Sequence, residues 1–161
     1  MGFRKTALMS FVDHGVADLP SLEYSDVPPE PATADQRHRE RHYFEVTSTV
    51  IKELAETGNV VIIGRGSNII LKDTPGVLHV GLMAPLDLRV MAVTEREHFG
   101  WKDAQKHVED MERARPIYLK KFFNVDPGDS SFYHMVLNRE KLSVDAAAEV
   151  IAHAAGALES S

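Results

Sequence analysis

Four consecutive β-branched residues, Val60 to Ile63, lie between Gly58 and Gly64. The run shows no alternation of apolar and polar side chains, which predicts a strand covered on both faces. Strands of this kind occur in parallel sheets that carry helices on each side. The chain is therefore expected to adopt an α/β fold.

Helices and further strands are predicted on either side of this run. Thr33 and Gln36 have capping-box spacing before a helix of about twenty residues that stops at Gly58. The other predicted elements are a short helix at Ser67 to Leu71, a strand at Val77 to Met83, a helix at Leu86 to Glu97 after Pro85, a long helix from Trp101 to Phe122 that Pro116 kinks or divides, a strand at Tyr133 to Leu137 and a closing helix after Leu142 and Ser143. This order predicts a three-layer fold with a reduced parallel sheet of about three strands flanked by helices.

Two regions are expected along the chain. Residues 1–35 are predicted to hold a short helix at Phe3 to Val16 and an arm in which four of the eight prolines lie between Pro20 and Pro31. Proline disfavours both helix interiors and central strands, so this arm is expected to be a linker or a wrapping segment. Residues 36–161 are expected to form the α/β domain.

Composition removes several classes of protein. The chain contains no cysteine, which excludes disulfide scaffolds, zinc fingers and thiol nucleophiles and fits a cytoplasmic location. A net charge of −6 argues against nucleic-acid binding, which depends on Lys and Arg against phosphates. The longest apolar run, Val80 to Leu86, is far shorter than the roughly 18–20 residues of a membrane span, so no membrane segment is predicted.

The segment Gly64-Arg65-Gly66-Ser67 follows the first predicted strand and opens a helix. Glycines at such a turn let the backbone approach a ligand closely, and a helix start with an arginine suits a phosphate. The alternative is that both glycines only make a tight turn and that Arg65 is solvated. The pattern of residues leaves both interpretations open.

Further arginines are expected near the same sheet edge. Arg89 and Arg96 lie on one side of the helix that follows Pro85, at the carboxyl end of a strand, where open α/β sheets bind ligands. Arg113 and Arg115 are two residues apart, about 200° around a helix, and cannot both reach one phosphate unless the helix bends at Pro116. Topology directs these arginine sites and Arg65 toward one edge, although a solvated charged face remains the alternative for the long helix.

Histidines carry no metal prediction. His38 and His42 are four apart, but the arginines between and beside them repel a cation. His79 is expected to be a satisfied core residue. No catalytic residue and no metal ligand is assigned from the sequence.

Several segments together resemble the cytidylate kinase-like family over about residues 40 to 155. The matching segments are Gly58 to Gly66, Pro75 to Val80, Ala84-Pro85 with Arg89, Glu112 to Arg115 with Tyr118 and Phe122, Tyr133 with Val136 to Asn138, and Leu142-Ser143. The resemblance implies a P-loop nucleoside-monophosphate kinase fold and ATP-dependent phosphorylation of CMP or dCMP with magnesium.

The resemblance also implies roles for the residues of the predicted site. Gly64, Arg65, Gly66 and Ser67 would form the turn in which Arg65 holds the phosphate of the monophosphate. Glu112 would replace an aspartate that contacts the sugar, and Arg115 would reach the transferring phosphoryl group. Arg89 and Arg113 would add positive charge around it, which is the main requirement of phosphoryl transfer.

The sequence departs from the family at two positions in its pattern. Gly66 occupies a position where bacterial cytidylate kinases commonly carry an aspartate that reads cytosine. In addition, none of the ten glycines is followed by lysine or by another glycine, so the loop that cradles donor phosphates is not found. No cofactor is therefore expected in this chain, and Mg-ATP is implied by the family only.

Loss of the donor loop also removes a strand. In the family that strand lies between the strand ending at Gly64 and the strand ending at Met83. Three alternatives follow: the two strands close on each other, another chain supplies a strand, or the sequence is a fragment. The main hypothesis is a truncated or inactive protein that retains a site for a CMP-like monophosphate, and the alternative is a non-catalytic module that forms homo-oligomers or pairs with a partner chain through its incomplete sheet.

Overall fold

A computed structural model describes residues 33–158, which form two compact units that meet in the chain at Leu71 and Lys72. The helix predicted at Phe3 to Val16 and the proline-rich arm lie outside the described residues. The division into residues 1–35 and 36–161 therefore stays a prediction.

Among its described residues, the unit ending at Leu71 contains helix α1 (Ala34–Thr57), as predicted. Its capping box is complete: the Thr33 hydroxyl accepts from the Gln36 N–H at 3.2 Å, and the Gln36 side chain accepts from the Thr33 N–H at 2.7 Å. The chain leaves the helix at Gly58, whose φ of 64° and ψ of 172° together form a conformation that only glycine adopts readily. The short helix α2 (Ser67–Ile70) follows the glycine turn and is also confirmed.

The strand predicted at Val60 to Ile63 is not formed. These residues belong to neither a helix nor a strand, and Val61 and Ile63 are 57% and 72% exposed rather than covered. A β-branched run favours an extended backbone, but a strand also needs a hydrogen-bonded neighbour. Within residues 33–158 the sheet contains two strands in place of the expected three, and neither of them pairs with this run.

The unit beginning at Lys72 contains the parallel sheet, which confirms the α/β fold class. Strand β1 (Val80–Met83) pairs in parallel with β2 (Met135–Asn138), and Val80 lies opposite Met135. The connection between them carries α3 (Leu86–Glu97), α4 (Trp101–Phe123) and a short 3-10 helix (Ser130–Phe132). Helix α5 (Val144–Leu158) ends the described chain.

Helices α3 and α4 pack against each other around a small core. Val90, Ala104 and Val108 are buried there, and Leu86 and Val93 pack against them. Helix α4 continues through Pro116 and is not divided. Among the described residues, no helix has the length and apolar character needed to cross a membrane.

One edge of β1 has no partner within residues 33–158. The carbonyl oxygens of His79 and Met83 accept hydrogen bonds from the β2 side, both at 2.8 Å. Because backbone groups alternate between the two edges of a strand, Val80 and Leu82 direct theirs to the opposite edge. The Leu82 and Met83 side chains are 61% and 55% exposed, so this sheet is open at its edge and on its faces.

Candidate functional site

The glycine turn before α2 has an unusual backbone. Gly64, Arg65 and Gly66 have φ angles of 75°, 57° and 70°, so three consecutive residues are left-handed. The Ser67 N–H donates to the Gly64 carbonyl at 3.1 Å and closes the turn. Glycine adopts this conformation freely, whereas Arg65 adopts it at an energetic cost, and such strain is often retained where a side chain has a function.

Arg89 lies at the carboxyl end of β1 and joins two helices. Its Nε donates to the Ala84 carbonyl at 3.1 Å, one residue beyond the strand. Its Nη2 donates to both carboxylate oxygens of Glu112, at 3.4 and 3.2 Å. The Arg89 side chain is 35% exposed and that of Glu112 is 59% exposed. The pair is therefore fixed to the backbone on one side and open to a ligand on the other.

Arg113 and Arg115 have different partners, as their spacing on the helix predicts. Arg113 forms an ion pair with Asp110, which also accepts from Lys106 at 2.7 Å. The hydrogen bonds from Lys106 and then Arg113 hold the pKa of Asp110 below its usual value. Arg115, by contrast, donates to the Tyr133 hydroxyl at 3.0 Å.

The structure brings some of the predicted site residues together. Arg89 and Glu112 are in contact, and Arg115 follows Glu112 by about one helical turn on α4. Arg113 is turned toward Asp110 instead. Arg96 pairs with its neighbour Glu97 near the end of α3. The Arg65 turn belongs to the other unit, so a shared cavity for all the arginines stays a prediction.

Two features near β2 were not assigned a role from the sequence. The first is the Tyr133 hydroxyl, which accepts a hydrogen bond from Arg115, 18 residues away in the chain. The sequence feature that could have indicated this contact is a tyrosine placed directly before a predicted strand. The second is a cavity of about 110 Å³ lined by Lys72, His79, Ser131, Phe132, Tyr133 and His134. His79 is 7% exposed, in agreement with the predicted core position, and its N–H donates to His134 Nδ1 at 3.0 Å.

The described residues show neither a cluster of three metal-ligating side chains nor a lysine-containing donor-phosphate loop. Within residues 33–158, no three His, Asp or Glu side chains lie close enough together to hold a metal ion. The left-handed turn at Gly64 to Gly66 is the one glycine-rich turn before a helix in this range, and it lacks the lysine of a donor-phosphate loop. No step of a reaction is therefore assigned to a metal or to ATP on this chain.

Comparison with known proteins identifies related sequences. The family model described as the cytidylate kinase-like family matches residues 4–141. A cytidylate kinase of Methanopyrus kandleri is 30% identical over 102 residues, which cover 58% of this chain and 53% of that protein. One of Methanoregula boonei is 28% identical and covers 64% and 57%. The chain thus spans about half the length of these curated relatives.

A solved structure shares the fold. The crystal structure of an uncharacterized protein from Eubacterium ventriosum aligns with a TM-score of 0.60 and 27% sequence identity. The aligned part covers 68% of this chain and 63% of that one.

Proposed function

Because the chain belongs to the cytidylate kinase-like family, we propose that it binds a nucleoside monophosphate of the CMP or dCMP kind and holds the phosphate with arginine side chains. The observation that carries this proposal is the position of Arg89, which is anchored to the end of β1 and to Glu112 at the same time. Ligands of parallel α/β sheets bind at this end of the strands. A fixed guanidinium there is ready to meet an anion.

Glu112 is suited to the sugar of such a ligand. Its two oxygens share one Arg89 nitrogen, and its side chain is more than half exposed. A carboxylate has about four lone-pair positions, so oxygens bound to Arg89 can still accept from a ribose or deoxyribose hydroxyl. Arg89 in turn compensates the negative charge of Glu112 beside a phosphate. The pair therefore provides a hydroxyl acceptor without repelling the anion.

Arg65 and Arg115 complete the proposed set of cations. In this proposal Arg65 binds the phosphate from the glycine turn, as the family resemblance implies. Arg115 supplies N–H groups beyond the one that it donates to Tyr133. Arg113 adds positive charge only, since its side chain pairs with Asp110.

The proposed function is binding of the acceptor. Transfer from ATP requires several backbone N–H groups and a lysine around the donor phosphates, together with magnesium. The sequence shows no glycine followed by lysine. We therefore propose a truncated or inactive kinase that keeps affinity for the acceptor.

Calorimetric titration with CMP, dCMP and ATP tests this proposal. A monophosphate is expected to bind, and Arg65→Ala and Arg89→Ala are expected to weaken that binding by at least about tenfold, the value of one charged hydrogen bond. Arg96→Ala is the matched control, because it removes the same charge from a side chain that is 70% exposed and paired with Glu97. Absence of heat with all three nucleotides would contradict the proposal.

A second candidate function is assembly through the sheet. The open edge of β1 and the exposed Leu82 and Met83 favour it, because a two-stranded sheet with apolar faces gains stability from a further strand. In this case the chain forms a homo-oligomer or takes a strand from a partner chain. Light scattering distinguishes the candidates: a dimer that dissociates in Leu82→Lys supports assembly, and a monomer at all concentrations contradicts self-assembly.

A further inference from the structure

Tyr133 connects the second half of α4 to the start of β2. Its hydroxyl accepts a hydrogen bond from Arg115 Nη2 at 3.0 Å, across 18 residues of sequence. Arg115 belongs to α4, and Tyr133 follows the 3-10 helix directly and precedes β2 by two residues. The Arg115 side chain is exposed, whereas Tyr133 is half-buried. The fixed member of this pair is therefore the tyrosine.

The absence of a side chain at Gly81 allows the Tyr133 ring to lie against β1. A Cβ atom at Gly81 would be 3.3 Å from Tyr133 Cδ1 and 3.2 Å from Val136 Cγ2, closer than ordinary contacts. The Tyr133 N–H also donates to the Ser130 carbonyl at 3.0 Å, which fixes the backbone that carries the ring. Ring and backbone are both held, so the position of the hydroxyl is set by the sheet.

We propose that Tyr133 is a positioning residue that holds the Arg115 guanidinium ready for an anion. An exposed arginine loses side-chain entropy when a ligand orders it, and a preformed hydrogen bond reduces that loss. The guanidinium donates one of its five N–H groups to Tyr133, so most of its donors are retained for a phosphate.

The same hydrogen bond makes the tyrosine a second donor. Because the Tyr133 oxygen accepts from Arg115, the hydroxyl proton of Tyr133 points elsewhere and is a donor that a phosphate oxygen can use. Arg115 and Tyr133 would then bind one anion together. This inference rests on the proposed function, since it specifies which groups meet the phosphate of the bound nucleotide.

The test uses Tyr133→Phe, which keeps the ring over Gly81 and removes only the hydroxyl. Tyr43→Phe on α1, whose side chain is 39% exposed in the other unit, is the matched control. The first measurement is the NMR relaxation of the Arg115 side-chain Nε–H group in the protein without ligand. We expect this group to be ordered in the parent chain and in Tyr43→Phe, and mobile in Tyr133→Phe, with an unchanged melting temperature. Equal mobility in all three proteins would overturn the proposal.

The second measurement is the affinity for CMP. We expect Tyr133→Phe to weaken binding by about three- to tenfold, the range of one neutral hydrogen bond. In an Arg115→Ala background the same change is expected to have a smaller effect, because only the direct bond from the Tyr133 hydroxyl to the phosphate is then lost and no longer the positioning of Arg115. An undiminished effect in that background would contradict positioning through Arg115. If the parent chain binds no CMP, the proposed function fails, while the NMR result still decides whether Tyr133 positions Arg115.

Discussion

The Nη2 atom of Arg89 lies 3.2 Å from the Oε2 atom of Glu112, so the ion pair joins the two helices that follow β1. Both side chains are partly exposed, and exposed ion pairs contribute only about 0–1 kcal/mol to stability. The pair therefore contributes little to holding the helices together. The position of the pair near the end of β1 agrees with the role in ligand binding proposed above.

Glu112→Gln separates these two roles. We expect the free energy of unfolding in urea to change by less than about 1 kcal/mol, because water replaces most of the interaction. The affinity for CMP is expected to fall by about tenfold or more, since the charged acceptor is lost. Glu97→Gln is the control, because the ion pair of Glu97 is with the adjacent Arg96 of the same helix and does not join two helices. A large loss of stability with unchanged affinity would assign the pair to the fold alone.

The left-handed backbone of Arg65 predicts that glycine at this position gives a more stable protein than alanine does. Arg65→Gly and Arg65→Ala remove the same functional group, and they differ in the Cβ atom that is strained at a φ of 57°. We expect the glycine variant to be more stable than the alanine variant by about 1 kcal/mol in urea unfolding, whereas glycine is normally the less stable of the two. Both variants are expected to lose CMP affinity equally. An alanine variant of equal or greater stability would show that the turn is unstrained.

A side chain at Gly81 is expected to lower the stability of the sheet. The Cβ of Gly81→Ala would be 3.2 Å from Val136 Cγ2 and 3.3 Å from the Tyr133 ring, so neighbours must shift. Overpacking of this kind costs about 1–3 kcal/mol, which urea unfolding measures. Gly156→Ala is the control, since nothing lies within 4 Å of its Cβ and alanine favours the helix. Equal effects of the two substitutions would be inconsistent with the described contact.

The lowered pKa of Asp110 predicts that the stability difference between the parent chain and Asp110→Asn depends on pH. The pKa of Asp110 lies below the usual 3.8 because Lys106 and then Arg113 donate hydrogen bonds to the carboxylate. A lowered pKa in the folded state stabilises the protein above the unfolded pKa and loses that contribution as pH falls through the folded value. Asp110→Asn is therefore expected to be less stable than the parent chain between about pH 5 and about pH 7, with the difference disappearing well below about pH 4. A difference that is constant down to acidic pH, or insensitive to salt, would contradict this origin.

Local signals were sufficient to predict the helices within residues 33–158. Thr33 and Gln36 mark the start of α1, and Pro85 marks the start of α3, because caps and proline act within one turn of the chain. The strand at Val60 to Ile63 was predicted wrongly, since a strand depends on a neighbour that local sequence cannot specify. Pro116 does not divide α4, because the helix continues through this residue; that part of the prediction was wrong.

The candidate site was predictable only in part. Topology placed the start of the helix that carries Arg89 at the carboxyl end of a strand, and in the structure the Arg89 Nε donates to the Ala84 carbonyl, one residue beyond β1. Its partner Glu112 is 23 residues away, and the partner of Arg115 is 18 residues away, so neither contact follows from helical spacing. Both depend on how α3, α4 and β2 pack, which the sequence pattern does not determine.

The most direct measurement of the central claim is a CMP titration followed by amide chemical shifts. Binding at the proposed site predicts saturable shifts at Gly64 to Ser67 and around Arg89, Glu112, Arg115 and Tyr133, with little change around Arg96 and Glu97. Shifts confined to residues outside this set, or no shifts at saturating CMP, would contradict the account.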